Sequence, residues 1–155
     1  MFAAGSFWTA EAAFRRVAGV QRTTVGYCGG HVRNPTYEQV AAGGTGHAEV
    51  VVVIYDSRRI SYGRLLEVFW EIHDPTDDGG RGTGLGPHHR SVVFYFNKAQ
   101  RRLAAKSLCR QQAATAHQNP IVTEILPASR FCAAEECHQR YLEKRGQMAR
   151  SLFGG

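Results

Sequence analysis

Three features of the sequence predict a mixed α+β fold, in which helices pack on a central sheet. Strand-like and helix-like segments alternate, glycine and proline mark the breaks between them, and one segment is a nearly continuous run of β-branched residues. Of the 155 residues, 43% are hydrophobic and 21% are charged, which suits one sizeable core. We therefore expect a single domain that spans residues 1–155.

The N-terminal segments predict a β-α-β unit. Phe2 to Gly5 is typical of a short strand, and Thr9 is predicted to be the N-cap of the helix that follows. Apolar residues of that helix recur near one face, and the next segment, "VQRTTVGY", alternates like a strand.

The rest of the chain continues this alternation. The segment "AEVVVVIYD" predicts a central strand, because strands buried on both faces are continuously apolar. The segment "SYGRLLEVFWEIH" predicts a helix capped by Ser61, with apolar residues at helical spacing. The later predicted elements are a strand at "SVVFYF", a long helix from about Asn97 to His117, a strand at "IVTEIL" and a helix from about Ala134 to Lys144.

Composition excludes several classes of function. The net charge is +6 and the pI is near 9.5, but the arginines are scattered, and no basic tract or aromatic platform for nucleic acid is present. No stretch of about 18 apolar residues and no export signal occur, so we expect a cytoplasmic protein that binds neither membrane nor nucleic acid. The four cysteines are expected to be reduced, and the spacing of Cys132 and Cys137 matches no zinc pattern, so no metal is predicted.

Two long loops are the candidates for a functional site. The first is "GYCGGHVRNPTYEQVAAGGTGHAE" and the second is "HDPTDDGGRGTGLGPHHRS". Loops of this length in a compact domain commonly carry function, and here tyrosine, histidine and glutamate stand beside the glycines.

The chain resembles the type A peptide methionine sulfoxide reductase family. The resemblance runs from Phe2 to about Lys144 and is carried by "GSFWTAE", "VGYCGGHVRNPTYEQV", "TGHAEVV", "ISYGRLLEVFWEIHDPT", "HRS" and "AAEECHQRYL". It implies a ferredoxin-like α/β plait with irregular active-site loops. It also implies reduction of methionine sulfoxide in peptides, without a bound cofactor, at the expense of an external thiol reductant such as thioredoxin or a dithiol.

The resemblance places Ser6 where the family has its nucleophilic cysteine. A thiolate at a helix N-terminus is stabilised by unpaired backbone N–H groups and by the helix dipole, whereas a serine hydroxyl gains little from them. Serine also cannot carry the sulfoxide oxygen away as a sulfenic acid. We therefore expect this chain to be inactive as a reductase.

The same resemblance implies roles for four further residues. Phe7 and Trp8 match the aromatic pair that encloses the S-methyl group, and aromatic rings suit a polarizable sulfur. Tyr37 matches the tyrosine that donates to the sulfoxide oxygen. Glu49 matches the carboxyl group that protonates or hydrogen-bonds that oxygen, and it enters a run of valines where it loses part of its hydration.

The second loop departs from the family pattern. Gly84 stands at the position of an aspartate, His89 at that of a tyrosine, and His88 at that of a glutamine. We expect all three positions to border the substrate. A single engineered change at Ser6 does not create these departures.

Three interpretations stay open at this stage. The chain is a reductase whose cysteine has become Ser6 through engineering or natural divergence. Alternatively, it is a diverged enzyme that carries out non-redox acid/base chemistry, such as condensation or cyclisation of a small molecule, with Glu49 and Tyr37 and with His88 or His89. The third interpretation is a non-catalytic module that binds oxidised methionine.

Overall fold

The structure is a computed structural model, and it describes residues 1–77, 86–114 and 119–146. Its strands are β1 (Phe2–Ala3), β2 (Val20–Cys28), β3 (Ala48–Tyr55), β4 (Val92–Tyr95), β5 (Glu124–Pro127) and β6 (Cys132–Ala133). Its helices are α1 (Phe7–Arg15), α2 (Tyr37–Ala41), α3 (Tyr62–Glu71) and α4 (Lys98–Ala113), with a 3₁₀ turn at Pro87–His89 and further helical backbone at 141–146.

The strands form a six-stranded mixed sheet in the order β5-β4-β1-β3-β2-β6. Strand β3 pairs antiparallel with both β1 and β2, so these two strands run parallel with β3 between them. Strand β4 pairs antiparallel with β1 and parallel with β5. The β1-α1-β2 unit is therefore a split β-α-β, and the predicted mixed α+β fold is confirmed.

Successive residues of the central strands point to opposite faces of the sheet, as the period of a strand requires. Phe2 and Val51 belong to the main core, which the helices cover, whereas Ala3 and Val50 belong to a smaller apolar cluster on the other face. Burial on both faces explains the run of valines in β3. Because Glu49 is two residues before Val51, its side chain lies on the face that the helices cover.

Helix α1 begins earlier than the sequence predicts. Its first residue is Phe7 and its N-cap is Ser6, so the prediction of Thr9 as N-cap is wrong. Thr9 is an exposed residue within the first turn. The physical reason is that the side chain of Glu49, from β3, accepts the hydrogen bond of the first N–H of the helix. Local sequence propensities cannot reveal a contact between residues so far apart in the chain.

Two other elements differ from expectation. Helix α2 lies within the first predicted loop, where Thr36 and Gln39 form a capping box in which each side chain accepts a hydrogen bond from the other's backbone N–H. Near the C-terminus the chain forms turns over residues 136–140, including Arg140 with a φ of 53°, before helical backbone resumes at 141–146. The predicted helix from Ala134 therefore begins too early.

Two predicted helix starts are confirmed. The Oγ of Ser61 accepts a hydrogen bond from the backbone N–H of Arg64 at 3.2 Å, and the Oδ1 of Asn97 accepts one from Gln100 at 2.9 Å. Within the described ranges, no helix has both the length and the apolar character needed to cross a membrane.

The close approach of β2 and β6 leaves no room for a side chain at Gly26. A Cβ at Gly26 would lie 2.2 Å from the carbonyl oxygen of Cys132, whereas a Cβ at Gly63 in α3 would meet its nearest atom, Ser61 Oγ, only at 3.6 Å. Gly26→Ala should lower the free energy of unfolding by about 1–3 kcal/mol through overpacking. Gly63→Ala, the matched control, should raise it by about 0.5 kcal/mol because alanine loses less backbone entropy. Urea unfolding of both variants checks this, and equal midpoints would contradict it.

Candidate functional site

Ser6 lies at the turn between β1 and α1. Its neighbour Gly5 has a φ of 72°, a conformation that glycine adopts without strain, and this turns the chain from the strand into the helix. The backbone of Ser6 is extended, and its side chain makes no capping hydrogen bond with the helix. The half-buried hydroxyl therefore remains available to a bound molecule at the mouth of α1.

Glu49 caps α1 in place of the serine. Its Oε2 accepts a hydrogen bond of 2.9 Å from the backbone N–H of Phe7, and the residue is only 1% exposed. A carboxylate in this place is stabilised by the N–H group and by the positive end of the helix dipole. Because Phe7 follows Ser6 directly, the carboxyl group is held at the same turn of the chain as Ser6.

The 3₁₀ turn places two imidazoles at this carboxyl group. The Nε2 of His89 lies 3.3 Å from Oε1 of Glu49, and the rings of His88 and His89 are 4.1 Å apart. Burial lowers the pKa of His88, the neighbouring His89 lowers it further, and Glu49 opposes both effects. His88 is therefore neutral at neutral pH.

Aromatic rings form the other side of the site. The ring of Tyr37, the first residue of α2, lies 6.1 Å from Phe7 and 5.6 Å from Trp8. Burial raises the pKa of the Tyr37 hydroxyl, and the negative charge of Glu49 raises it further. The hydroxyl therefore stays protonated at neutral pH and can donate a hydrogen bond to a bound group.

The structure thus brings the predicted site residues together around the N-terminus of α1. They are Ser6, Phe7, Trp8, Tyr37, Glu49, His88 and His89. The remaining one, Gly84, lies outside the described residues. The cluster combines aromatic rings, which suit a methyl group on sulfur, with hydroxyl, imidazole and carboxyl groups that can bind an oxygen atom.

Residues after β6 complete the aromatic side, and no role was predicted for them. The Nε1–H of Trp8 donates to Nδ1 of His138 at 3.3 Å, and the ring of His138 lies 4.4 Å from Tyr37. Tyr141 stacks on Trp8 at 4.2 Å. The segment "AAEECHQRYL" contributed to the family resemblance, and this was the only signal in the sequence that could have found them.

Glu135 fixes the position of Tyr37. Its carboxylate accepts hydrogen bonds from the backbone N–H of Tyr37 at 2.9 Å and from the hydroxyl of Tyr27 at 3.1 Å. Burial acts to raise the pKa of Glu135, but these hydrogen bonds outweigh it and the pKa lies below its usual value. The ionised carboxylate therefore joins β2 to the start of α2.

Comparisons of the sequence agree with this geometry. The family model described as "Peptide methionine sulfoxide reductase" matches residues 1–152. Peptide methionine sulfoxide reductase MsrA of Methanosarcina acetivorans is 53% identical over 145 residues, which is 94% of this chain and 77% of that protein. The protein of the same name from Geobacter sulfurreducens is 52% identical over 94% of this chain and 90% of that protein.

Solved structures give the same result. Methionine sulfoxide reductase A of Corynebacterium diphtheriae is 34% identical with a TM-score of 0.87, covering 94% of this chain and 73% of that one. Mxr1 of Saccharomyces cerevisiae in reduced form is 33% identical with a TM-score of 0.86, covering 94% and 84%. Fold and relatives define a class of sulfoxide-reducing oxidoreductases. This chain belongs to the peptide methionine sulfoxide reductase family.

The electrostatic contact between Tyr37 and Glu49 is directly measurable. Glu49→Gln removes a charge that raises the pKa of Tyr37, so this pKa should fall toward the ordinary 10.0 while burial keeps it above that value. A pH titration of ¹³Cζ-labelled tyrosine by NMR follows the shift. Glu38→Gln is the matched control, because Glu38 makes a smaller contribution to the same pKa. A larger effect of Glu38→Gln would contradict the arrangement.

Proposed function

We propose that this chain binds methionine sulfoxide in peptides in the manner of its family but does not reduce it. The observation that carries the proposal is the position of Ser6 as the N-cap of α1, directly before the N–H of Phe7 that Glu49 binds. The pocket supplies what recognition of a sulfoxide needs. Phe7 and Trp8 offer aromatic faces to the S-methyl group, and Tyr37 and Glu49 offer hydrogen bonds to the oxygen.

The redox step fails because the hydroxyl oxygen of Ser6 cannot do the chemistry of a cysteine sulfur. In the family, the resemblance implies that a cysteine thiolate attacks the sulfoxide sulfur, the S–O bond breaks, and the oxygen remains on the cysteine as a sulfenic acid. The same transfer to Ser6 would leave an oxygen bonded to an oxygen, a peroxide, which is far less stable. The serine hydroxyl is also un-ionised at neutral pH, so position 6 offers no anionic nucleophile for the helix N-terminus to stabilise.

Restoring sulfur at position 6 should restore the chemistry. The protein with Ser6 should show no turnover of a peptide containing methionine S-sulfoxide with a dithiol reductant. Ser6→Cys should form one equivalent of methionine per chain without reductant, with a sulfenic acid trapped on the protein. Ser6→Ala is the matched control and should stay inert in both assays.

Each outcome of this experiment discriminates between interpretations. Turnover by the Ser6 protein would remove the proposal that the redox step is lost. An inert but folded Ser6→Cys protein would show that the pocket no longer positions a sulfoxide, and would favour the second function below.

Binding tests the pocket without any chemistry. A methionine sulfoxide peptide should bind more tightly than its methionine counterpart, since its oxygen accepts a hydrogen bond from the hydroxyl of Tyr37. This bond contributes about 1 kcal/mol, so Tyr37→Phe should weaken sulfoxide binding about fivefold and leave methionine binding unchanged. Isothermal titration calorimetry measures this, with Tyr95→Phe at the end of β4 as the control. Equal affinity for the two peptides would exclude a sulfoxide pocket.

A second candidate function is acid/base catalysis on a small molecule. It is favoured by the 3.3 Å contact between His89 and Glu49, together with the Nδ1 of His89, which is buried and has no hydrogen-bond partner among the described residues. If Nε2–H donates to Glu49, Nδ1 is left with a lone pair that can take a proton from a substrate. No sulfur is required for such a step.

Under the first proposal, an external reductant is needed only by the Ser6→Cys variant, since only this variant forms a sulfenic acid. Mxr1 of Saccharomyces cerevisiae has been solved in complex with Trx2, with 30% identity to this chain and a TM-score of 0.63. Thioredoxin or a dithiol would accordingly be the partner that returns the sulfenic acid of Ser6→Cys to the thiol.

A further inference from the structure

Three side chains with metal-ligating atoms converge beside the N-terminus of α1. One carboxylate oxygen of Glu49 and one ring nitrogen each of His88 and His89 lie within 4.8 Å of one another. All three are shielded from solvent: Glu49 is 1% exposed, His88 is 6% exposed, and the side chain of His89 is 12% exposed. Neither the family match nor the proposed function assigns a metal to this cluster.

The spacing suits a first-row divalent ion. Bonds of about 2.0–2.1 Å from zinc to nitrogen or oxygen place neighbouring ligand atoms about 3.3 Å apart in a tetrahedron. One pair, Nε2 of His89 and Oε1 of Glu49, already lies at 3.3 Å. The widest pair lies within 4.8 Å, at most about 1.5 Å beyond this separation. Two histidines and one carboxylate, with a position left for water, are a ligand set that zinc and iron use.

Both histidines have a ring nitrogen without a hydrogen-bond partner among the described residues. In His88 and in His89 this atom is Nδ1, and it is buried. Buried polar atoms are almost always satisfied, so the unpartnered Nδ1 of His88 gives this ring a nitrogen that can bind a ligand, whereas His89 already contacts Glu49 through Nε2. A metal ion on either ring would fix its tautomer and account for its place beside a carboxylate.

The turn is also shaped around one of these rings. Gly86 has a φ of 87°, and a Cβ there would lie 2.9 Å from Cε1 of His88 and 3.0 Å from its Nδ1. A side chain at this position would be strained and would strike the imidazole. Glycine therefore allows the ring of His88 to lie against the backbone, on the same side as His89 and Glu49.

We propose that Glu49, His88 and His89 bind a divalent transition-metal ion, for which Zn²⁺ is the probe. The proposal shares Glu49 with the proposed sulfoxide site, but it is tested without any substrate, so its failure is distinguishable from a failure of sulfoxide binding. It competes with acid/base catalysis by His89, since the metal would occupy lone pairs that a base needs. Metal binding and proton transfer by this pair are therefore alternatives at any one moment.

The test is zinc binding by the full chain after removal of metal with a chelator. Cysteines also bind zinc, so the parent for the experiment carries Cys109→Ser and Cys137→Ser, which replace the two exposed thiols. Competition with a chromophoric chelator should give about one equivalent of Zn²⁺ per chain. His88→Ala, His89→Ala and Glu49→Gln should each weaken the Kd by at least about tenfold. His31→Ala, in an exposed loop residue, should leave it unchanged.

Two measurements keep the result decisive when a variant is poorly folded. Zn²⁺ should raise the Tm of the parent and of His31→Ala but not that of His88→Gln, because only binding to the folded state stabilises it. Co²⁺ in the parent should give visible bands of nitrogen and oxygen coordination without a thiolate charge-transfer band. Sub-stoichiometric zinc, a Kd that the three ligand variants leave unchanged, or a thiolate band would each overturn the proposal.

Discussion

The hydrogen bond from the N–H of Phe7 to Glu49 is the contact on which the site depends. It joins the second residue of β3 to the first residue of α1, and it does so where neither group meets water. An unpaired carboxylate at 1% exposure would be costly to bury, so the helix N-terminus and Glu49 each supply what the other lacks. Ser6 is thereby released from the capping role that its position would give it.

This arrangement separates the support of the site from its chemistry. Glu135 fixes Tyr37 through the backbone, and His138 fixes Trp8 through the indole N–H, so the aromatic side is held by groups that need not touch a ligand. In the function that we propose, a change at position 6 alters the reacting atom, whereas the groups proposed to bind the sulfoxide belong to other residues.

The sequence predicted elements wherever the signal was local. The run of valines predicted β3, because a strand that is buried on both faces is apolar at successive positions. Ser61 predicted the start of α3, because a capping side chain acts on backbone groups only a few residues away. It failed where a distant side chain decides the outcome. Thr9 looked like the N-cap of α1 because no local pattern reveals that Glu49 satisfies the N–H of Phe7. The resemblance proposed the pocket residues, but the meeting of His89 with Glu49, and the part that Glu135 plays, required the fold.

The hydrogen bonds of Glu135 and His138 also affect the order in which parts of the protein fold during synthesis. Glu135 is 98 residues from Tyr37 along the chain, and His138 is 130 residues from Trp8. Closing loops of this length costs chain entropy before the contact can contribute any stabilising free energy. Contacts between residues so far apart in the chain therefore slow folding. During synthesis on the ribosome, the sheet can begin to pair as soon as β3 has emerged, but the aromatic side must wait for the segment after β6. The aromatic side of the site is therefore completed late in synthesis.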